Sequence, residues 1–202
     1  LITGCSSGLG EALFNETCRH DHLKSFAHYR STTHDPYALY GDINDFNFAD
    51  KLDEYIRTRE IDCFINNAGV YEGNVLETNL VSQVKMLQVV YDYFKEKNKG
   101  KIININSLAG INPTAGESLY CASKFGLKGF SQSLQLEAVN TGVEITDVYL
   151  GGVQTRMTKD RLSYNSLMKP DDVAMQIIDL VNTKSYYVNE ITMRRRNESC
   201  AS

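Results

Sequence analysis

The chain has 202 residues, of which 42% are hydrophobic and 23% are charged. This length and composition are typical of one globular domain with a substantial core. The net charge of −4 argues against nucleic acid or an anionic membrane as a partner, and no apolar run reaches the roughly 18 residues of a membrane span. Five scattered cysteines without a CxxC pair predict reduced thiols and a cytoplasmic protein, and no signal peptide is recognised. The four early histidines lack the spacing of metal ligands, so we expect no metal site.

The chain begins with an apolar segment and a glycine-rich turn. Leu1–Thr3 is predicted to end a strand, and a helical pattern follows the turn to about Cys18. Because glycines let the backbone approach a pyrophosphate and a helix N-terminus supplies free N–H groups, this order predicts a dinucleotide cradle. The cradle residues are Gly4, Ser6, Ser7, Gly8, Leu9 and Gly10. Since the chain starts inside a strand and without a methionine, we expect upstream residues to be missing.

The next segments alternate between short apolar runs and one amphipathic helix. Leu23–Tyr29 and Tyr37–Gly41 are predicted strands, and the seven residues between them are too few for a helix that packs. Phe46–Arg59 is periodic enough for a helix. Ile61–Ile65 fits a buried parallel strand that ends at Asn66-Asn-Ala-Gly69.

The second half of the chain carries the longest predicted elements. Asn74–Asn98 is a predicted helix whose apolar face is wide enough to cover both the sheet and a partner subunit. The elements that follow are strand Lys101–Asn106, a helix from Ser118 to about Asn140, strand Val143–Leu150, helix Val173–Val181 preceded by a start signal at Pro170, and strand Tyr186–Met193. This alternation predicts an α/β, Rossmann-like, doubly wound and mostly parallel seven-stranded sheet with helices on both faces, in one domain over residues 1–202.

The candidate chemistry is concentrated between Ser107 and Lys124. Ser107 follows a predicted strand at its carboxyl end, where open α/β sheets bind their ligands. Tyr120 and Lys124 are four residues apart and therefore share one helix face. The Tyr-x-x-x-Lys spacing alone is a weak signal, because two further matches end the long helix. Only this pair follows a serine at a strand end, thirteen residues earlier.

The order of the motifs is more specific than any one of them. The sequence shows Thr3-Gly4-x-x-x-Gly8-x-Gly10, then Asn66-Asn67-Ala68-Gly69, Asn79, Ser107, Tyr120-x-x-x-Lys124 and Gly152-x-x-Thr155. This series spans nearly the whole chain and resembles the short-chain dehydrogenase/reductase family, in its shorter-chained branch. The resemblance implies an NAD(P)-dependent oxidoreductase that acts on a small carbonyl or alcohol substrate and assembles as a homodimer or homotetramer.

Elementary chemistry gives Ser107, Tyr120 and Lys124 coherent roles. A phenol has a pKa of about 10, so it exchanges protons near neutrality only when its anion is stabilised, and Lys124 supplies a positive charge one turn away. We expect Ser107 to hydrogen-bond the substrate oxygen as charge develops. The resemblance implies that Lys124 also holds the nicotinamide ribose and that Asn79 helps link the lysine to a proton-relay water. An asparagine inside an apolar helix is intrinsically costly, which fits a functional role.

The resemblance also assigns residues to the cofactor. Besides the glycine turn, Tyr120 and Lys124, they are Arg30, Asp42, Ile43, Asn67, Ala68, Gly69, Gly152, Val153 and Thr155. The usual Pro-Gly before Thr155 is Gly151-Gly152, which predicts a looser turn. Arg30 stands where an acid would bind the ribose 2′-hydroxyl of NAD, so NADP(H) is favoured. Asp35 could reach back to that hydroxyl, and NAD(H) therefore stays open.

Three segments are shorter than in typical members of the family. The helix between the second and third strands is absent, the segment between Asn67 and Asn79 is trimmed, and Arg156–Lys169, where the family carries its substrate lid, is brief. A brief lid predicts an open pocket with modest selectivity. Two alternatives stay open. A nucleotide-sugar epimerase or dehydratase uses the same Tyr/Lys pair but needs a larger C-terminal region, and a non-catalytic NADP-binding sensor has no need of the acid Tyr120.

Overall fold

The structure is a computed structural model that describes residues 1–31 and 33–196. Within this part of the chain it has six strands: β1 His28–Tyr29, β2 Leu39–Tyr40, β3 Cys63–Asn66, β4 Gly100–Ser107, β5 Val143–Leu150 and β6 Glu190–Met193. The α-helices described are α1 Gly8–Thr17, α2 Phe48–Arg59, α3 Ser82–Glu96, α4 Ser118–Glu137 and α5 Pro170–Asn182. None of the helices in these two ranges is long and apolar enough to cross a membrane.

All strand pairs are parallel. β1 pairs with β2, and β3, β4, β5 and β6 form a four-stranded sheet in that order. Ile2 bridges both groups, because it pairs in parallel with Ala27 on one side and Ile65 on the other. The predicted doubly wound sheet is therefore confirmed, with the order β2, β1, the segment around Ile2, then β3 to β6. The first of the seven predicted strands is reduced to a bridging segment.

Helices cover both faces of the sheet, as predicted. One core cluster joins apolar residues of α1 and α5, among them Leu13 and Ile177, to the sheet. The other joins α2, α3 and α4 to the opposite face through residues such as Leu52, Leu87 and Leu127. Because both faces are covered, β4 and β5 are buried almost throughout. Their polar residues Asn104, Asn106 and Asp147 are therefore buried together with the apolar ones.

The agreement with the predicted boundaries is best in the middle of the sheet. Strand Val143–Leu150 is confirmed to the residue, and no helix lies between β1 and β2 in the described residues. The predictions were wrong at both edges, since Leu23–Tyr29 and Tyr37–Gly41 contract to two-residue strands and Tyr186–Met193 begins only at Glu190. The outermost strands β2 and β6 have ladder partners on one side only, so their apolar runs overstate the length that is actually paired. β1 lies between β2 and the segment around Ile2, and Ala27 beside it forms only an isolated bridge.

The long predicted helix Asn74–Asn98 is not uniform. A π-helical turn covers Glu77–Val81, and α3 follows it as a regular α-helix. Asn79 lies inside the π-helical turn. Turns of this kind are rare and frequently occur at functional sites. The hydrophobic pattern of the sequence could not reveal this irregularity, because an apolar face looks the same in both forms.

Candidate active site

The carboxyl ends of the central strands open onto one cavity of about 590 Å³, a size typical of small-molecule and cofactor sites. Every site residue predicted from the sequence lines it: Gly4, Ser6, Ser7, Gly8, Leu9, Gly10, Arg30, Asp42, Ile43, Asn67, Ala68, Gly69, Asn79, Ser107, Tyr120, Lys124, Gly152, Val153 and Thr155. The structure thus brings together residues that are spread over most of the chain. The roles of the individual residues stay predictions.

The glycine turn leaves the space that a pyrophosphate requires. Gly4 and Gly8 have φ angles of +74° and +64°, which favour glycine. A Cβ atom on Gly10 would lie 2.1 Å from the carbonyl oxygen of Gly4. A Cβ atom on Gly8 would lie 3.2 Å from the side chain of Thr155, so Thr155 faces the turn across the site. With the N-terminus of α1 directly behind, these residues fit the diphosphate of a dinucleotide.

Thr3 joins the glycine turn to the Asn-Ala-Gly segment after β3. Its hydroxyl oxygen accepts hydrogen bonds from the backbone N–H groups of Asn67 at 2.9 Å and Ala68 at 3.0 Å. The side-chain amide of Asn67 donates to the carbonyl oxygen of Thr3 at 2.8 Å. The two loops therefore form one hydrogen-bonded wall of the cavity.

His28 is a residue that the sequence analysis missed. Its Nδ1 accepts the backbone N–H of Gly4 at 3.2 Å, so its Nε2 carries the proton that is donated to the carbonyl oxygen of Gly41 at 2.9 Å. Burial lowers the pKa of His28, which keeps the ring neutral and the Nδ1 lone pair available. The histidine thus fixes the glycine turn against the end of β2. No local motif announces this, because the bonds join segments that are distant in sequence.

The serine is held against α4 by the turn that follows β4. Ser107 caps the short 3₁₀ helix Leu108–Gly110 through its Oγ, which accepts the N–H of Ala109 at 3.2 Å. The side chain of Asn106 donates to the carbonyl oxygen of Lys124 at 3.2 Å. A Cβ atom on Gly110 would lie 2.8 Å from the same oxygen, so this turn and α4 are in close contact. Ser107 is thereby placed beside the helix that carries Tyr120.

Tyr120 and Lys124 share one face of α4, as predicted. The Lys124 Nζ lies 5.9 Å from the centre of the Tyr120 ring. Lys124 is only 5% exposed, and burial lowers its pKa to about 8. Among the described residues its Nζ has one long hydrogen bond, of 3.5 Å to the carbonyl oxygen of Ile105. Because an ammonium group has three donors, the remaining ones fit the hydroxyls of a nicotinamide ribose.

The expected lowering of the tyrosine pKa is not found. Burial raises the pKa of Tyr120, and this effect exceeds the opposing ones of a hydrogen bond with Ser107 and the charge of Arg161. Burial disfavours the charged forms of both Tyr120 and Lys124. The sequence spacing of the two residues alone therefore could not predict the direction of the tyrosine pKa shift. The phenol therefore starts as a proton donor, the form that carbonyl reduction needs.

Asn79 is fully buried and both ends of its amide are bonded to Val70. Its Oδ1 accepts the N–H of Val70 at 2.8 Å, and its Nδ2 donates to the carbonyl oxygen of the same residue at 2.6 Å. These bonds offset the cost of an asparagine in the helix and hold the loop after Gly69. The proposed water relay is not tested by this geometry and stays a prediction.

The turn after β5, for which the sequence predicts looseness, is hydrogen-bonded to two neighbouring segments. The Gly151 N–H donates to the carbonyl oxygen of Met193 at 2.9 Å, and the Met168 N–H donates to that of Gly152 at 3.1 Å. Thr155 forms a capping box with Thr158 at the start of a short 3₁₀ helix. Neighbouring strands and the substrate segment thus replace the restraint that a proline would have provided.

The opposite end of the cavity carries three further residues that the sequence analysis missed. The Tyr71 hydroxyl donates to Glu117 Oε1 at 2.6 Å, and the guanidinium of Arg161 lies 3.8 Å from the same oxygen. The Tyr71 ring contacts the Tyr120 ring in a T-shaped arrangement with centroids 5.1 Å apart. All three line the cavity. They form a polar cluster beside the predicted acid, and we call it the mouth cluster.

The parallel sheet, the glycine turn at its first segment and the Ser–Tyr–Lys set beyond β4 together define a dinucleotide-binding α/β protein. The family model for short chain dehydrogenase matches residues 1–165. The chain therefore belongs to the short-chain dehydrogenase/reductase family, a family of oxidoreductases.

Named relatives agree with this assignment. The 15-hydroxyprostaglandin dehydrogenase (NAD(+)) of Homo sapiens is 34% identical over 149 residues, which are 60% of this chain and 56% of that protein. The chain thus covers little more than half the length of this relative. The NADP-dependent 3-hydroxy acid dehydrogenase of Schizosaccharomyces pombe is 29% identical over 202 residues, with coverage of 86% and 78%.

A solved structure shows the same fold over the full chain. The closed form of a serine dehydrogenase complexed with NADP+ superposes with a TM-score of 0.85, at 24% identity, and covers 100% of this chain and 98% of that one. Among these three proteins, one name includes NAD and two include NADP. The comparisons therefore support a nicotinamide dinucleotide as the cofactor but do not choose between NAD and NADP.

Proposed function

We propose that this chain transfers a hydride between NADP(H) and a carbonyl or secondary alcohol substrate, with Tyr120 as the general acid and base. The observation that carries this proposal is the convergence of Ser107, Tyr120 and Lys124 on the cavity that also holds the glycine turn. A protein that only binds the nucleotide would need the turn but not a half-buried phenol and a buried ammonium beside it. The nicotinamide supplies the hydride chemistry when it is bound.

The residues of the chain supply the proton and the polar contacts. In the direction of reduction, the Tyr120 hydroxyl donates its proton to the substrate oxygen, and Ser107 donates a hydrogen bond to the same oxygen as negative charge develops there. Lys124 stabilises the phenolate that remains and holds the ribose. In the direction of oxidation, the tyrosine accepts the proton from the alcohol.

The preference for NADP(H) rests on Arg30. Its side chain is exposed and lines the cavity, whereas Asp35 does not line it. Asp35 Oδ1 accepts the N–H of Tyr37 at 2.9 Å and so belongs to its own turn. This arrangement supports a site for a 2′-phosphate and weakens the case for a carboxylate on the 2′-hydroxyl.

We also propose a homodimer or homotetramer in the cytoplasm. Apolar side chains of α4 and of the segment just after it are exposed, among them Leu119, Phe125, Leu136 and Val139. Exposed apolar side chains on one helix support association of identical chains. The described cysteines, Cys5, Cys18, Cys63 and Cys121, are free thiols, which supports a reducing compartment.

The first test replaces the proposed acid. Tyr120→Phe should lower kcat/KM with NADPH over a panel of aldehydes and ketones by about 100-fold or more. NADPH affinity, measured by fluorescence titration, should fall far less, because the glycine turn and Lys124 are retained. Tyr91→Phe is the matched control. It alters the tyrosine of another Tyr-x-x-x-Lys match, which lies outside the cavity, and its hydroxyl has no partner among the described residues. Full activity in Tyr120→Phe would refute the mechanism, and NADPH binding without turnover of any carbonyl would favour the sensor.

The second test addresses the cofactor. Because Arg30 would pair with the 2′-phosphate, Arg30→Ala should raise the KM for NADPH by about tenfold or more, the effect of one lost charged hydrogen bond, and leave the KM for NADH unchanged. Steady-state rates at 340 nm with both cofactors measure this. A wild-type preference for NADH would overturn the assignment.

A further inference from the structure

We propose that the substrate carries a carboxylate, and that Arg161 of the mouth cluster binds it. This inference rests on the proposed function and deepens it by naming the class of substrate as short oxo or hydroxy acids. It comes from the charges at the end of the cavity where the substrate oxygen would meet Tyr120.

The cavity has an excess of positive charge. Four cationic side chains line it, Arg30, Lys124, Arg156 and Arg161, against two carboxylates, Asp42 and Glu117. An anionic cofactor accounts for Arg30 and Lys124, which lie along the nucleotide path. Arg161 lies instead in the mouth cluster, against the Tyr71 ring that contacts Tyr120. Its charge is only loosely paired with Glu117, at 3.8 Å, and is therefore available to an anionic group of the substrate.

Arg161 is close to the reacting phenol. Its guanidinium carbon lies 5.6 Å from the centre of the Tyr71 ring, and that ring contacts the Tyr120 ring. Only one aromatic ring thus separates the guanidinium from the tyrosine that would protonate the substrate. In the proposed complex the carbonyl of a short acid lies at Tyr120 and its carboxylate at Arg161.

Arg161 also keeps donors for a ligand. Among residues 1–31 and 33–196, its one carboxylate partner is Glu117 at 3.8 Å, which is longer than a hydrogen bond. The arginine side chain is 44% exposed, whereas that of Glu117 is 20% exposed and is bonded to the Tyr71 hydroxyl. A guanidinium has five donors arranged for bidentate binding of a carboxylate. A substrate acid can therefore bind Arg161 while Glu117 keeps its bond to Tyr71.

Glu117 sets the selectivity of this site. As a carboxylate beside Arg161, it disfavours weakly bound anions and holds the arginine near the mouth in the free protein. Removing its charge should strengthen acid binding, whereas removing the arginine should abolish the preference for acids. Removal of the same charge at a position outside the cavity, which a general effect of charge would also register, separates a specific site from that general effect.

The test compares acids with their neutral esters. The protein loaded with NADP+ is titrated by calorimetry with 2-hydroxybutyrate, 3-hydroxybutyrate and their methyl esters. We expect at least one acid to bind 10- to 100-fold more tightly than its ester, the range for a charged hydrogen-bonded pair. Arg161→Gln should reduce acid affinity to that of the ester and leave the ester unchanged, and Arg161→Lys should restore part of it. Glu117→Gln, which still accepts a bond from Tyr71, should raise acid affinity several-fold.

Lys159→Gln is the matched control, because Lys159 is exposed on the same segment, carries the same charge and does not line the cavity. It should behave as the wild type. Equal binding of acids and esters, no binding of either, or equal losses in Arg161→Gln and Lys159→Gln would each overturn the inference.

Turnover distinguishes this failure from failure of the proposed function. Suppose that the protein reduces neutral aldehydes and that Arg161→Gln keeps the wild-type ratio of acid affinity to ester affinity. That result would refute the carboxylate site alone. Acid binding that depends on Arg161, together with an absence of NADPH oxidation on any carbonyl, would refute the oxidoreductase and retain the anion site.

Discussion

The two halves of the sheet hold their functional groups by different means. On the cofactor side, β1 and β2 are two residues long each, and single side chains such as Thr3 and His28 fix the loops at their ends. On the catalytic side, β4 and β5 pair along eight residues each, and Ser107 ends that ladder. A short ladder cannot position a loop by itself. The cofactor wall therefore depends on individual hydrogen bonds, whereas Ser107 is positioned by the whole sheet.

A row of buried polar side chains strengthens the catalytic half. Asn66, Asn104 and Asp147 occupy matching positions on β3, β4 and β5 and are fully buried. Asn104 donates to Asp147 Oδ1 at 3.1 Å and to Ser131 Oγ at 2.8 Å, and the Ser131 hydroxyl donates to the same carboxylate oxygen at 2.7 Å. Since Ser131 lies on α4, this row ties the helix of the catalytic tyrosine and lysine to the sheet.

Mutations in the two halves of the sheet should therefore change different measured quantities. Changes on the cofactor side should alter nucleotide affinity with little effect on global stability, because few other contacts depend on those bonds. Changes in the buried row should alter the free energy of unfolding, because its hydrogen bonds are made to buried neighbours and no solvent can replace a lost partner.

The largest effect on the cofactor side should come from Gly10→Ala. Its Cβ atom would lie 2.1 Å from the Gly4 carbonyl oxygen, so the backbone of the turn must move. We expect NADPH affinity in a fluorescence titration to fall by about 100-fold, the upper range of overpacking costs. Gly129→Ala on α4 is the control, since a Cβ atom there meets nothing within 4 Å. It should keep full affinity and gain about 0.5–1 kcal/mol of stability. Equal NADPH affinities in Gly10→Ala and Gly129→Ala would contradict the proposal that the glycine turn holds the cofactor.

The catalytic side is tested by the pH dependence of stability. Burial raises the pKa of Asp147 from 3.8 to about 6. The folded chain therefore binds more protons than the unfolded chain between these values, and this group lowers the free energy of unfolding as pH rises from about 4 to 6. The total is about 3 kcal/mol. Asp147→Asn should remove this part of the slope in urea titrations at pH 4 to 7. Parallel curves for the wild type and the variant would contradict the prediction.

A smaller effect is expected at His28. The loss of both bonds in His28→Leu leaves the Gly4 N–H without its acceptor and should weaken NADPH binding by about tenfold. His28→Asn can supply an acceptor to Gly4 and should recover part of the affinity. His22→Leu serves as the control, because His22 is exposed and bonds Asn182 far from the cavity.

The sign of the pH effect at His28 also follows from its environment. Burial lowers the pKa of the folded-state imidazole below its ordinary value of 6.5, although Gly41 and Asp42 oppose this shift. The unfolded chain therefore takes up a proton that the folded chain does not, and the contribution of His28 to stability is lost as pH falls below about 6.5. Because the folded imidazole takes up its proton only below this lowered pKa, NADPH affinity in the wild type should fall at a lower pH than the one at which stability begins to fall, and it should fall less in His28→Leu. An identical pH profile in both would show that His28 does not hold the cradle.

The sequence predicted the residues of the site better than it predicted their environment. Ser107, Tyr120 and Lys124 could be found because they follow strand ends and helix periodicity, which are local properties. Tyr71 and Glu117 lie 46 positions apart and carry no shared pattern, so their contact emerges only when the loop after β3 and the start of α4 become neighbours in the fold. The pKa direction of Tyr120 was missed for a related reason, since burial depends on everything that packs around the ring.

By itself, then, the sequence determined the alternation of strands and helices, the strand Val143–Leu150 and the order of motifs that identifies the family, because periodicity and spacing are encoded locally. Only the tertiary structure decided how short the outer strands are, that Asn79 lies in a π-helical turn, and that His28 and Arg161 line the two ends of one cavity. These features depend on which distant segments become neighbours, and burial and hydrogen bonding exist only after that packing is complete.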